Sequence, residues 1–283
     1  MSSQLTNTVS KFPEKPPVQT AAFKKPFDKA SFVLKMTLLA LVALTILSFL
    51  TFDYQGLSFF SAIKSAFANI YSMLTEAKFS NITFKDAVFA VIITIGLAFL
   101  TTIFGAIIAI FFGLLAARNV SNPKYSYYIK GIVAFIRAVP TVLWVLIFAV
   151  PAGLGSVAAI IGMTFHSVGY LIKAYSESFE EMDDGIIEAL RSNGASWWHI
   201  VFQAVLPSSK TYLISWTFMR FEINVGAAIA MGAAAGAGGI GFDMYMASSF
   251  YLDMNEIGGI TWLILIFAVI LETVATRMKS KVK

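Results

Sequence analysis

Two charged residues interrupt an otherwise apolar run at "MRFEINV", Met219 to Val225. A helix entering the membrane at Thr211 would carry Arg220 and Glu222 roughly 15 Å inward at ~1.5 Å per residue. A charge at that depth costs at least ~2.5 kcal/mol if it faces lipid, so both must face protein or water. Two positions apart on a helix they point about 200° away from each other, and each needs a partner elsewhere. Arg137, in an earlier apolar run, is a candidate partner for Glu222, and Asn224 lies one turn from Arg220 on its face. Two readings are open. Arg220, with Asn224 and Arg137, could line a polar route for an anion, since a guanidinium fork matches phosphoryl oxygens and keeps its charge at any relevant pH. Alternatively a buried Arg–Glu pair fixes helix packing.

The Gly-rich stretch "GAAAGAGGIG" follows, Gly232 to Gly241. Gly236, Gly238 and Gly239 could let backbone N–H groups converge on an anion, or could simply let helices pack closely at a gate or turn. A second constellation is "EALRSNGASWWHIVFQAVLP", Glu188 to Pro207. Gly185 to Asn193 can form a short helix with Ile186, Ile187 and Leu190 on one side. Gly194 suits its left-handed end, and Ser196 can cap the next helix. From Trp197 to Val205 apolar groups point nearly all round, and Pro207 is expected to stop the helix. So much aromatic surface predicts a docking element or packing against the chain's own helix ends.

The elements that must carry these residues follow from composition. With 58% hydrophobic and 13% charged residues over 283 positions, the chain has more apolar surface than one water-soluble core can hide. There is no Cys, so disulfides and thiolate metal sites are ruled out, and His166 and His199 are isolated. At about 20 residues per crossing, six spans are predicted: Phe32–Phe52, one within Ala87–Ala117, 131–150, 156–175, 211–235 and 257–276. "PAGLG", Pro151 to Gly155, separates the third from the fourth. Gly105, Ala109 and Gly113 form a small-residue ridge that suits packing within the chain or against a second one.

Residues 1–30 are polar and Pro-rich and predict a disordered cytoplasmic tail. The first span and an external, amphipathic segment make up 31–86, a membrane-spanning core 87–276, and a basic cytoplasmic tail 277–283. With both ends inside, 16 of the 21 Lys and Arg fall on inner segments and only Lys64, Lys78 and Lys85 on outer ones. That bias predicts both termini, and the 176–210 loop, in the cytoplasm. The net charge of +5 reflects this orientation and implies no nucleic-acid partner.

The spacing of Glu188, Ala189 and Leu190, then Gly194, then Leu206 and Pro207 resembles the "EAA" loop of the membrane subunits of bacterial binding-protein-dependent ABC importers. Leu190 replaces the third motif residue and Ala204 stands where Ile is common. "FGLLAARN", "IRAVPTVLWVLIF", "EALRSNGAS", "MRFEINV" and "GAGGIGF" together resemble the phosphonate importer permeases. The resemblance implies an all-α membrane protein with the type I ABC importer permease fold and cytoplasmic coupling helices, in a bacterial cytoplasmic membrane. It assigns ATPase coupling to Glu188, Ala189, Arg191, Gly194, Ser196, Trp197, Trp198, Leu206 and Pro207. It also implies a dimer of ATP-binding cassette ATPases as partner, an extracytoplasmic binding protein, and a second permease copy or paralogue.

No G-x-x-x-x-G-K-[ST] loop occurs, so ATP and magnesium belong to the partner ATPase and this chain holds no cofactor. The expected cargo is phosphonate or a related phosphorus oxyanion, with another solute such as an amino acid as the alternative. A secondary transporter or channel would more often show inverted repeats or several intramembrane carboxylates. A membrane enzyme would need clustered polar catalytic groups, which the sequence lacks.

Overall fold

The computed structural model describes residues 28–51 and 58–282, with side chains through Arg277. Of the tail expected over 1–30, residues 1–27 lie outside the described residues, and the first helix already begins at Lys29. Two units divide the chain at Ser58. The first contains α1 (Lys29–Thr51), a 23-residue apolar helix long enough to cross a membrane.

The second unit is a helical bundle. α2 (Phe59–Thr75) is followed by α3 (Phe84–Ala116), capped by Thr83, whose hydroxyl accepts from the Asp86 N–H at 3.2 Å. At 33 residues α3 is about 50 Å long and overshoots a ~30 Å hydrocarbon layer. Its Gly105–Ala109–Gly113 ridge packs inside the chain: a Cβ on Gly105 would meet Ser167 at 3.1 Å and one on Gly113 would meet Tyr175 at 3.1 Å, both on α6 (Ser156–Glu180).

The run expected as one helix over 131–150 is broken. α4 (Pro123–Ala138) and α5 (Thr141–Ala152) meet at 91°. Pro140 has no N–H for the Ile136 carbonyl four residues back, and the freed carbonyl instead accepts from Trp144 Nε1 at 3.0 Å. Gly153 and Gly155 turn the chain from α5 into α6.

The loop after α6 contains α7 (Asp184–Ser192), capped by Asp183, and α8 (Trp197–Ile200), capped by Ser196. A π-turn over Val201–Val205 joins α8 directly to α9 (Leu206–Ala235). The expectation that Pro207 stops this helix is corrected: the Leu206 N–H reaches back five residues to the Val201 carbonyl, and Pro207 falls in the first turn of α9, where an N–H is not required. The Ser208 hydroxyl donates to the Ala204 carbonyl beside it.

α9 ends at Gly236 in the left-handed region (φ 62°), and a tight loop leads to α10 (Ile240–Met246) and a further π-turn, Ala247–Tyr251. α11 (Met254–Val282) closes the bundle and remains helical through the stretch read as a basic tail. Among the described residues four helices are long and apolar enough to cross a membrane, or up to six segments if each bent pair, α4–α5 and α8–α9–α10, counts as one. The chain is a multi-pass membrane protein.

Candidate solute pathway and coupling surface

Arg220 is only 3% exposed and faces α6 and α3 through a polar chain. Its Nε donates to Ser167 Oγ at 3.0 Å, and the Ser167 hydroxyl donates to Asn224 Oδ1 at 3.2 Å. Asn224 Nδ2 then donates to Thr102 Oγ1 at 2.9 Å, and the Thr102 hydroxyl passes its own proton to the Ala98 carbonyl at 2.7 Å. The guanidinium lies over the Tyr170 ring, 5.1 Å from its centre. Among the described residues the Nε contact is its only hydrogen bond, and neither ion pair found involves it.

His166 lies within electrostatic range of both Arg220 and Arg137 and against the Val139 backbone, and its buried Nδ1 has no hydrogen-bond partner among the described residues. The groups that touch the Arg220 guanidinium, the Ser167 hydroxyl and the Tyr170 ring, are neutral.

Arg137 and Glu222 occupy different grooves. Arg137 lines one of about 190 Å³ with Tyr170, Lys173, Glu177 and Trp216, whereas Glu222 and Glu272 line one of about 500 Å³ between α9 and α11. A groove of about 860 Å³ between α3 and α9 is mostly apolar, and its size reflects unpaired helix surface rather than chemistry.

The glycine loop is packed rather than open. The Ile240 N–H donates to Thr94 Oγ1 on α3 at 3.0 Å, and Gly239 (φ 70°) is pressed so closely on Thr94 that no Cβ fits. Gly236 is exposed and Gly238 half-buried, so the three glycines shape a turn between α9 and α10.

The loop from Glu188 to Pro207 has an inner and an outer side. Ile187 is buried, and Trp197 packs inward and donates from Nε1 to the Val120 carbonyl at 3.0 Å. Arg191 Nη2 donates to the Asn119 carbonyl at 3.1 Å. The α3–α4 connection thus cradles the loop through two backbone carbonyls, a role that side-chain types alone do not advertise. Gly194 (φ 78°) ends α7, its N–H donating to the Arg191 carbonyl at 2.9 Å and that of Ala195 to Leu190 at 3.0 Å.

On the outer side, Trp198 (54% exposed) and Phe202 (62%) stack with ring centres 5.8 Å apart, beside exposed Glu188 and Ala189. Leu206 is partly buried against the core, and Pro207 is exposed at the start of α9.

Over residues 109–280 the sequence matches the family described as binding-protein-dependent transport system inner membrane components. The chain belongs to this family. It is similar to the phosphate-import permease PhnE of Mycolicibacterium smegmatis, 32% identical over 189 residues, which are 66% of this chain and 35% of that protein. A putative phosphite permease, HtxC of Stutzerimonas stutzeri, is 29% identical over 187 residues, 66% of each chain. A D-methionine permease, MetI of Pasteurella multocida, is 28% identical over 159 residues, 52% of this chain and 73% of that one. The permease thus spans about a third of the length of the first relative and about two thirds of the second.

Among solved structures, an inward-facing MetNI methionine ABC transporter chain superposes with a TM-score of 0.64 at 24% identity, covering 72% of this chain and 99% of that one. The fold is that of a type I ABC importer permease.

One buried carboxylate was invisible in the sequence. Glu256, in the first turn of α11 and 1% exposed, accepts from the Asn81 and Ile82 N–H groups at 3.0 Å each and from the Asn81 side chain. It ties the α2–α3 connection to α11. Asp253 caps the same helix: the Glu256 N–H first, then the Ser80 side chain and the Asn255 N–H, hold its carboxyl below the usual carboxylate range.

Proposed function

We propose that this permease imports a phosphorus oxyanion of the phosphonate type, moved by a separate pair of ABC ATPases and delivered by an extracytoplasmic binding protein. A second permease copy or paralogue completes the pathway, both termini and the 184–207 loop lie in the cytoplasm, and ATP with magnesium is held by the ATPase alone. The observation that carries this reading is the environment of Arg220. A buried guanidinium whose one hydrogen bond among the described residues goes to a hydroxyl, and which takes part in neither ion pair found there, is stabilised by a dianionic solute far more than by a zwitterion.

The coupling face fits the same scheme. Phe202 and Trp198 stand about 27 and 33 Å along one continuous helix from Arg220, at ~1.5 Å per residue. Closure of the ATPases on that face would turn α9 against α6 and expose the guanidinium to one side and then the other.

The test is ATP-dependent uptake into liposomes containing the permease, its ATPase and its binding protein. Methylphosphonate or phosphite should accumulate and methionine should not. Arg220→Gln should abolish uptake while leaving assembly intact, and Arg220→Lys should retain a minor fraction. Normal uptake in both variants, or uptake of methionine instead, would defeat the reading.

A further inference from the structure

Beyond Arg220, α6 carries a stripe that no motif marks. His166, Tyr170, Lys173 and Glu177 recur at intervals of four, three and four residues and so share one helix face. Trp216 and Arg220, four apart on α9, face this stripe: the Trp216 ring meets the Tyr170 ring edge-on at 6.3 Å, and the Arg220 guanidinium covers it at 5.1 Å. Arg137 reaches in from α4 across Gly169, where a Cβ would already touch the arginine Cγ at 3.4 Å. Arg137, Tyr170, Lys173, Glu177 and Trp216 line an open groove of about 190 Å³, room for a tetrahedral oxyanion and a few waters.

The groove holds two cations, Arg137 and Lys173, and one anion, Glu177. Lys173 Nζ lies 3.5 Å from Glu177 Oε1, with the side chains 49% and 55% exposed. That spacing is long for a charge-assisted contact, and Lys preceding Glu is the weaker order on a helix. The pair is readily exchanged. By contrast Lys130 and Glu180, at 2.7 Å, brace α4 to α6.

We propose that Arg137 and Lys173 form a second oxyanion subsite between Arg220 and the coupling loop, and that Glu177 neutralises Lys173 while this subsite is empty. The proposal rests on the reading of Arg220 as a solute ligand. An arriving phosphoryl group takes the ammonium from Glu177 and accepts the Arg137 fork. The displaced carboxylate then repels the bound anion, so the subsite is a stepping stone and not a trap, as conduction requires. Neutral and zwitterionic solutes gain nothing from the exchange.

The test uses the permease with its ATPase in nanodiscs, with inorganic phosphate and methylphosphonate as probes, read by equilibrium dialysis and by Trp216 fluorescence with Trp216→Phe as the control. Glu177→Gln should bind phosphate about tenfold more tightly and Lys173→Gln about tenfold more weakly, the scale set by one charge at partial exposure. A gain of affinity in Glu177→Gln cannot come from misfolding. Unchanged phosphate affinity in both variants, or no phosphate binding in the parent and Glu177→Gln alike, overturns the subsite even if Arg220→Gln still abolishes uptake. If the Glu177→Gln gain appears while Arg220→Gln transports normally, the subsite stands and the reading of Arg220 falls.

Discussion

Truncating Trp198 isolates the docking face from the fold. An indole side chain presents up to about 250 Å², and Trp198 is 54% exposed, which leaves roughly 130 Å² for a partner to cover. At ~25 cal/mol per Å² that surface contributes up to about 3 kcal/mol to docking, a loss of roughly a hundredfold in affinity in Trp198→Ala. The stack with Phe202 is lost too, but Phe202 is itself exposed, so the permease alone should lose under about 1 kcal/mol.

Trp197→Ala is the contrast. It removes an inward ring and leaves the Val120 carbonyl without its indole donor, and should destabilise the permease by about 3–5 kcal/mol. The assay titrates purified ATPase against permease in nanodiscs, with denaturant unfolding of each permease variant alone. If Trp198→Ala binds the ATPase within about threefold of the parent, or unfolds as readily as Trp197→Ala, the division into an outward and an inward tryptophan is mistaken.

Other consequences can be measured on the permease itself. A Cβ on Gly162 would sit 2.5 Å from Val145 Cα, so Gly162→Ala must part α5 from α6 and should cost about 1–3 kcal/mol in unfolding, while Gly226→Ala, whose Cβ meets nothing within 4 Å, should be neutral or stabilising by up to about 1 kcal/mol. Glu256→Ala leaves two backbone amide donors without their acceptor at about 1–3 kcal/mol each, and hydrogen exchange at Asn81 and Ile82 should accelerate well before α3 responds. The depressed Asp253 carboxyl adds stability that is fully present above the ordinary Asp value of about 3.9 and is lost as pH falls through its lower folded value; Asp253→Asn should flatten that acid limb in melts followed from about pH 6 down to pH 2.

Apolar length and turn residues were enough to find the long helices and the two short ones around Gly194, because both signals are local. Pro140 and Pro207 show where local reading stops. Each removes one N–H, yet the outcomes differ: at Pro140 the freed Ile136 carbonyl takes the Trp144 indole N–H at a 91° corner, whereas Pro207 follows a π-turn within a continuous helix. Neither outcome can be read from the proline.

Around Arg220 the sequence indicated a buried charge and its neighbour Asn224. Ser167 and Thr102, which join them, sit 53 and 122 residues away from their partners and have no pattern of their own. Tyr170, His166 and Lys173 were hidden for the same reason: their shared face matters only because α4 and α9 close over it. Glu256 looked like an ordinary first-turn acid until the 81–82 backbone was placed against it.

The uninterrupted helix from Trp197 to Ala235 has a thermodynamic corollary. On the roles proposed for Arg220 and Trp198, whatever factor closure of the ATPases imposes on anion affinity, the anion must return to the grip of the ATPase. Filling the cavity and loading the motor are, on this geometry, the same equilibrium seen from opposite ends.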